Sequence, residues 1–236
     1  MKNGENHEIF ITADASPTLS FKREDGYAEK MHHSQGALTE SLYIYHSALL
    51  LAHQMGAPMH IVSVGLGLAY NELISLAELH LQKVPGKIWS FEVEGLLVEN
   101  LRRWCQDDLD HDQPLHLVGQ RVAQHFAMDP SVLKAVASSA LREGRWELRG
   151  GFPEALGDLA EIGLIFFDAF SSKMSPRLWA EDVLVQSLQH RLAERSVFTT
   201  YAATGSLNRA LRTLGYSLSK RPGFSGKRES TLAIRG

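Results

Sequence analysis

The sequence predicts an open α/β fold, a mostly parallel sheet with helices on both faces, and three observations carry that expectation. Short apolar runs alternate with longer segments of helical period, the order of successive strand–helix units. The connections between them are mostly short, as in one domain body. The 236 residues are 44% hydrophobic and 22% charged, enough apolar surface for one sizeable core.

Residues 1–56 read as an N-terminal extension and a lead-in helix. Polar turns at 16–18 and 24–26 flank apolar runs at 9–12 and 19–21, which predicts a short hairpin. From Ala37 the pattern changes: Leu38, Ser41, Leu42, Tyr45, Leu49 and Ala52 recur at helical spacing until Gly56-Ala57-Pro58. Residues 57–236 form the main domain. Its expected strands are 60–64, 88–92, 147–149 with a companion at 115–118, 164–168 and 197–201; its expected helices are 71–82, 96–106, 131–143, 178–193 and 206–214. A terminal antiparallel hairpin, 217–221 and 230–234, brackets the turn-rich GFSGKRE. Residues 107–145, with an acidic loop, Pro114 and an extra helix, read as an insertion.

Composition excludes several classes. No apolar run approaches the roughly 20 residues of a membrane span, and MKNGENHEIF lacks the order of a signal peptide, so a cytoplasmic protein without membrane contact is expected. The single cysteine, Cys105, cannot form an intramolecular disulfide and reads as a half-buried residue on a helix. A net charge of −3 excludes a generally basic nucleic-acid coat but allows a local basic patch.

The strand at 60–64 runs into Gly65-Leu66-Gly67 and then a helix, so the glycines fall where an open α/β sheet binds ligand. A dinucleotide site wants a third glycine, and here Leu68-Ala69-Tyr70 follows, which counts against NAD or FAD. S-adenosylmethionine carries no phosphate and needs only close approach of its methionine part. At the next strand tip stands Glu92, a carboxylate able to accept hydrogen bonds from both ribose hydroxyls; Glu94 is the alternative if the strand ends later. The run Leu164-Ile165-Phe166-Phe167 suits a strand buried on both faces, and it ends in Asp168. Ser175-Pro176 already supplies a cap and first position for the next helix, which leaves Asp168 for chemistry at the ligand edge. Phe170 either stacks on a base or forms a pocket wall, with core packing as the equal alternative. Among other constellations, G-x-S-x-G and H-E-x-x-H are absent, His32-His33 with His46 and His53 lacks a ligand pattern, and 107–112 lacks calcium-loop spacing. No metal site is expected.

Three segments together resemble one family, the methyltransferase half of the MnmC-type tRNA 5-methylaminomethyl-2-thiouridine enzymes and its stand-alone relatives. They are SFKREDGYAEKMHHSQGALTESLYIY at 20–45, with a Gly-x-x-x-Glu helix start; IVSVGLGLAYNELISL at 61–76, a Gly-x-Gly loop followed by Asn71; and 166–192 continuing through 199–230. The last is the most specific, with Asp-x-Phe, Pro-x-x-Trp, a Thr-Tyr strand and Lys-Arg-x-Gly-Phe-x-x-Lys-Arg-Glu in order. The chain departs from the family's Gly-x-Gly-Thr-Gly at Leu68-Ala69, and Gly150-Gly151-Phe152 stands where members tend to place an acid.

The resemblance implies a Rossmann-like S-adenosylmethionine-dependent methyltransferase fold, a mostly parallel seven-stranded sheet whose last strand is antiparallel. It implies methyl transfer from S-adenosyl-L-methionine to the primary amine of 5-aminomethyl-2-thiouridine at the tRNA wobble base. With no oxidase half in this chain, a separate enzyme is expected to supply the aminomethyl intermediate. Asp168 and Phe170 are the expected catalytic residues. Gly65 and Gly67 would hold the methionine side, Glu92 the ribose, Phe152 the adenine, and Glu40 with Asn71 the pocket floor. The rival readings are an inert Rossmann-like binding module and a spermidine-synthase-like aminopropyl transferase. For tRNA, the expected phosphate contacts are Arg209, Lys220, Arg221, Lys227 and Arg228, in a stretch with no acid until Glu229.

Overall fold

The computed structural model describes residues 7–22, 26, 28–226 and 229–236. Near the N-terminus, β1 (His7–Ile11), β2 (Pro17–Lys22) and β3 (Ala28–Lys30) pair antiparallel, so the expected hairpin is a three-stranded sheet. This sheet builds the start of the next helix, α1 (Ala37–Ser41), whose N-cap residue Gly36 has no side chain to cap it. Ser16 Oγ accepts from the Ala37 and Leu38 amides, and Asp14 Oδ2 accepts from the Thr39 amide. Those bonds satisfy the free donors of a helix start from a distant segment. A Cβ on Gly36 would collide with the Asp14 carboxylate, which explains the glycine.

After α1 the helix widens into a π-helical turn, Leu42–His46, and continues as α2 (Ser47–Gln54). The main sheet comprises β4 (His60–Val64), β5 (Lys87–Phe91), β6 (Trp146–Arg149), β7 (Ile162–Phe167), β8 (Leu192–Thr200), β9 (Ser217–Arg221) and β10 (Ser230–Arg235). Its order is β6-β5-β4-β7-β8-β10-β9, parallel from β6 to β8, with β10 antiparallel to both neighbours. The seven-stranded sheet with an antiparallel last strand therefore stands as read. The order in which successive strands are laid down reverses between the parallel neighbours β4 and β7, where an open α/β sheet leaves its crevice.

Both faces are buried. Ile61, Leu164, Phe166 and Val197 pack against α1, the π turn, α2, α3 (Tyr70–Gln82) and α4 (Gly95–Cys105). Val62, Val64, Ile165, Phe167 and Phe198 pack against α7 (Glu181–Leu188) and α8 (Gly205–Thr213). The alternation follows from the period of two along a strand.

Three expectations change. Residues 115–118 form no strand: they lie in α5 (Pro114–His125), where Pro114 takes the first helical position and Leu115, Val118 and Val122 meet the core at helical spacing. With α6 (Pro130–Arg142), the segment 107–145 thus carries two helices, both buried against the first face. The expected helix 178–193 is divided. A short 3-10 turn, Pro176–Trp179, precedes extended Ala180 and then α7, while β8 begins as early as Leu192, which pairs with Ile162 of β7, and Arg235 Nη1 donates to the Ala193 carbonyl. Ser175 makes no side-chain cap to that turn.

Candidate active site

The site begins with backbone. Gly65 leaves β4 at φ 91°, its amide donates to the Phe91 carbonyl at 3.0 Å, and a Cβ there would lie 2.5 Å from the Asp168 carbonyl oxygen. Only glycine lets the tips of β4 and β7 approach so closely. Gly67, at φ 51°, and Ala69, at φ 61° just before α3, complete a turn of left-handed residues. Glu92 follows β5 and is oriented by backbone donors. Its Oε1 accepts from the Val93 and Glu94 amides at 2.8 and 2.9 Å, and its Oε2 accepts from the Gly67 amide at 3.2 Å. Glu92 lines the cavity and Glu94 does not.

The tip of β7 is held by side chains from four directions. The Asp168 amide donates to the Val64 carbonyl, Tyr201 Oη donates to the Ala169 carbonyl at 3.0 Å, and Trp179 Nε1 donates to the Phe170 carbonyl at 2.7 Å. Glu29 of β3 accepts from the Ser171 amide at 3.0 Å and from Ser171 Oγ at 2.6 Å. The tryptophan of Pro-x-x-Trp and the tyrosine of the Thr-Tyr strand are thus braces for Asp-x-Phe. Asn71 Nδ2 of α3 donates to Asp168 Oδ2 at 2.9 Å.

Between the two tips lies a cavity of about 470 Å³, within the usual range for a small-molecule site. Its apolar walls include Phe91 and Phe152, whose ring centroids are 5.7 Å apart, and Phe170, which lies 5.6 Å from Phe21 of β2. Residues 29–34 of the N-terminal segment form another wall. Glu40 and Tyr45 reach the floor from the π-containing helix, and Glu40 Oε2 accepts from the His33 amide at 2.6 Å. Burial first, and then the charge of Asp168, hold the Tyr45 phenol well above its ordinary pKa. Beneath the floor, Trp146 Nε1 donates to Ser90 Oγ and Ser90 Oγ donates to Glu72 Oε1, at 2.8 and 2.9 Å. Burial pushes the Glu72 carboxyl up to about 7 against the pull of hydrogen bonds from Ser63 and Ser90.

The structure brings Gly65, Gly67, Asn71, Glu92, Phe152, Glu40, Asp168 and Phe170 to this one cavity. Of the expected phosphate contacts, Arg209 and Arg221 do not line this cavity. Arg209 is exposed and pairs with Glu181 at 2.7 Å. Arg221 turns inward: its Nη1 donates to the Tyr43 carbonyl and its Nη2 to the Ile44 carbonyl, and its guanidinium lies 4.9 Å from the centre of the Tyr43 ring. It satisfies carbonyls that the π turn frees, so its charge is spent on the helix rather than on a phosphate. Lys227 and Arg228 lie outside the described residues, as does the side chain of Lys220. Sequence reasoning missed Tyr45 and Glu29 as site residues. Tyr45 reads as one apolar position of a helix, and Glu29 as one charge in a polar segment, because both are placed by pairings distant in the chain.

The donor set fits S-adenosyl-L-methionine: a turn whose Cβ position is barred by Asp168, a pre-oriented carboxylate at the second strand tip, and an aromatic wall. Residues 132–236 match the family described as S-adenosyl-L-methionine-dependent methyltransferase. Fold and site agree with that description, since the matched residues carry the β7 tip with Asp168 and its braces Trp179 and Tyr201. The chain is also similar to MnmC-type proteins. It is 35% identical over 69 residues, 29% of this chain, to the tRNA 5-methylaminomethyl-2-thiouridine biosynthesis bifunctional protein MnmC of Hahella chejuensis, of which it covers 11%. It is 26% identical over 230 residues, 89% of this chain, to the protein of that name from Burkholderia mallei, of which it covers 34%. The chain thus spans about a third or less of these relatives. Among solved structures, MnmC2 from Aquifex aeolicus shares the fold with a TM-score of 0.68 at 24% identity, over 98% of this chain and 71% of that one.

Proposed function

We propose that this protein methylates the primary amine of 5-aminomethyl-2-thiouridine at the tRNA wobble base. The observation that carries the reading is Asp168, held at the switch-point tip of β7 by Asn71 and facing the same cavity as Glu92. The names of the MnmC relatives point to the same modification. When bound, S-adenosyl-L-methionine supplies an electrophilic methyl group on a sulfonium. Gly65 and Gly67 leave room for its methionine part, Glu92 accepts from the ribose and Phe152 covers the adenine. Asp168 accepts an N–H of the target amine, orients its lone pair and takes up the proton that the product releases. An ammonium has no lone pair, so the amine must lose a proton before it attacks, and Asp168 is placed to accept it. Phe170 forms the wall beside the target.

In this reading residues 1–56 are an extension that closes one side of the site, 57–236 the methyltransferase domain, and 107–145 a helical insertion. Arg209, Lys220, Lys227 and Arg228 contact tRNA phosphates. The protein acts in the cytoplasm, and a separate enzyme supplies the aminomethyl intermediate. The test is mass spectrometry of tRNA nucleosides from cells with and without the protein. Loss of 5-methylaminomethyl-2-thiouridine with accumulation of its aminomethyl precursor is expected; an unchanged nucleoside profile overturns the reading.

A further inference from the structure

Two oxygens at the bottom of the cavity have accepting lone pairs that no protein donor fills. Tyr45 and Asn71 are 2% and 4% exposed and both line the cavity; the Tyr45 hydroxyl is directed at the Asp168 carboxylate, and neither Tyr45 Oη nor Asn71 Oδ1 accepts a hydrogen bond from a protein donor. Leaving a buried polar group unsatisfied costs about 1–3 kcal/mol, so two beside one carboxylate call for a ligand. The amide orientation of Asn71 is fixed by chemistry, since only its NH2 end can donate to Asp168 Oδ2, as it does at 2.9 Å. Its oxygen is therefore an acceptor without a donor.

Tyr45 is brought here by construction. The π turn that carries it is locked by Arg221 and by Thr199 Oγ1, which donates to the Ile44 carbonyl at 3.0 Å, and its ring meets Phe166 edge-on at 5.5 Å. Its hydroxyl, kept un-ionised by burial and by the nearby Asp168 charge, offers lone pairs. The corner thus holds two carboxylate oxygens, an amide oxygen and a phenol oxygen, with the Asn71 NH2 and the phenol O–H directed at the carboxylate. What it lacks is a ligand with several N–H donors.

We infer that Tyr45 Oη, Asn71 Oδ1 and the Asp168 carboxylate together form a subsite for a primary amine. An ammonium brings three N–H donors to three acceptors. After loss of one proton, two acceptors still hold the remaining hydrogens and fix the direction of the freed lone pair. Two sources carry this chemistry, the aminomethyl group of the modified uridine and the α-ammonium of the methionine part of the methyl donor. Resting on the function proposed above, the occupant is the aminomethyl group.

The experiment uses the full chain and Tyr45→Phe, which removes one oxygen and keeps the ring against Phe166. The ligand-free melting temperature should change by no more than about a degree or two, because the ring keeps its packing and only the hydroxyl beside Asp168 is lost. The wild type should prefer an anticodon stem-loop carrying 5-aminomethyl-2-thiouridine over its twin carrying 2-thiouridine. In Tyr45→Phe that preference should fall about tenfold, one hydrogen bond's worth, with calorimetric affinity for S-adenosyl-L-methionine unchanged. If instead donor affinity falls and the preference is intact, the subsite stands and holds the methionine ammonium. If neither changes, or if the melting temperature drops by several degrees, the subsite is overturned. A wild type that neither prefers nor methylates the aminomethyl hairpin overturns the tRNA reading alone, and the donor-affinity arm still decides the subsite.

Discussion

The two tips that enclose the cavity are built in opposite ways. On the β4–β5 side, backbone does the work: left-handed glycines, a carbonyl contact and a Glu92 carboxylate fixed by three amides within one turn of chain on either side of the cavity. On the β7 side, side chains do it: Glu29, Asn71, Trp179 and Tyr201 arrive from distant elements to hold a short loop around Asp168. The first construction tolerates no Cβ but needs few partners. The second tolerates sequence change at the loop itself only while all its braces remain. A backbone-built half suits a ligand of fixed shape, and a side-chain-built half suits the part of a reaction that must discriminate.

The comparison breaks most directly at Asp168. Asp168→Ala should lower methyl transfer by at least ~100-fold, the scale of a lost positioned acid–base group, while donor affinity and fold persist. Steady-state kinetics beside calorimetry checks this, and turnover like the wild type removes Asp168 from the mechanism. On the other side, Glu92→Ala should act on binding, weakening S-adenosyl-L-methionine by roughly 1.5–3 kcal/mol, the range of charge-assisted hydrogen bonds. If calorimetry finds the loss in Asp168→Ala and not in Glu92→Ala, the division of labour is reversed.

What could be read from the sequence follows the same divide. Gly65, Gly67 and Glu92 are legible because a strand, a turn and the next strand tip are local features with fixed spacing. Asp168 is legible because it ends a fully apolar run. Tyr45 and Glu29 are not, because their positions depend on a π turn locked by Arg221 and on a β3 pairing, neither of which leaves a periodic signal. Arg221 shows the converse error: in a basic stretch its charge reads as a nucleic-acid contact, and only the freed carbonyls of Tyr43 and Ile44 reveal its structural task. The strand expected at 115–118 fails for a related reason, since four apolar-rich residues after a proline fit a strand and a helix start equally well.

Glu72 lies under the backbone-built half and sharpens the comparison through stability. Its folded pKa of about 7 exceeds its ordinary 4.5, so the folded state holds the proton more tightly. Its contribution is fully present below pH 4.5, is lost as pH rises towards 7, and is flat above that. Glu72→Gln should therefore stabilise the protein by about 1–3 kcal/mol in urea unfolding at pH 8, with little gain at pH 4.5. An equal gain at both pH values assigns the effect to packing instead of ionisation.

The smallest expected effect lies within the turn itself. Ala69 sits at φ 61°, just before α3, where the resembling family has glycine in Gly-x-Gly-Thr-Gly. A left-handed conformation costs a residue with a Cβ roughly 1–2 kcal/mol, whereas glycine adopts it freely. Glycine also gives the unfolded chain more freedom, which offsets about 0.5–1 kcal/mol of the gain. Ala69→Gly should therefore raise stability by about 1 kcal/mol or less, read as a small rise in denaturation midpoint without a change in slope. The Ala69 amide already closes the turn on the Leu66 carbonyl at 2.7 Å, so donor affinity should hold if the strained turn is preformed. A drop in S-adenosyl-L-methionine affinity in this variant would show that the alanine rigidifies the turn for its ligand, making the backbone-built half depend on a side chain after all.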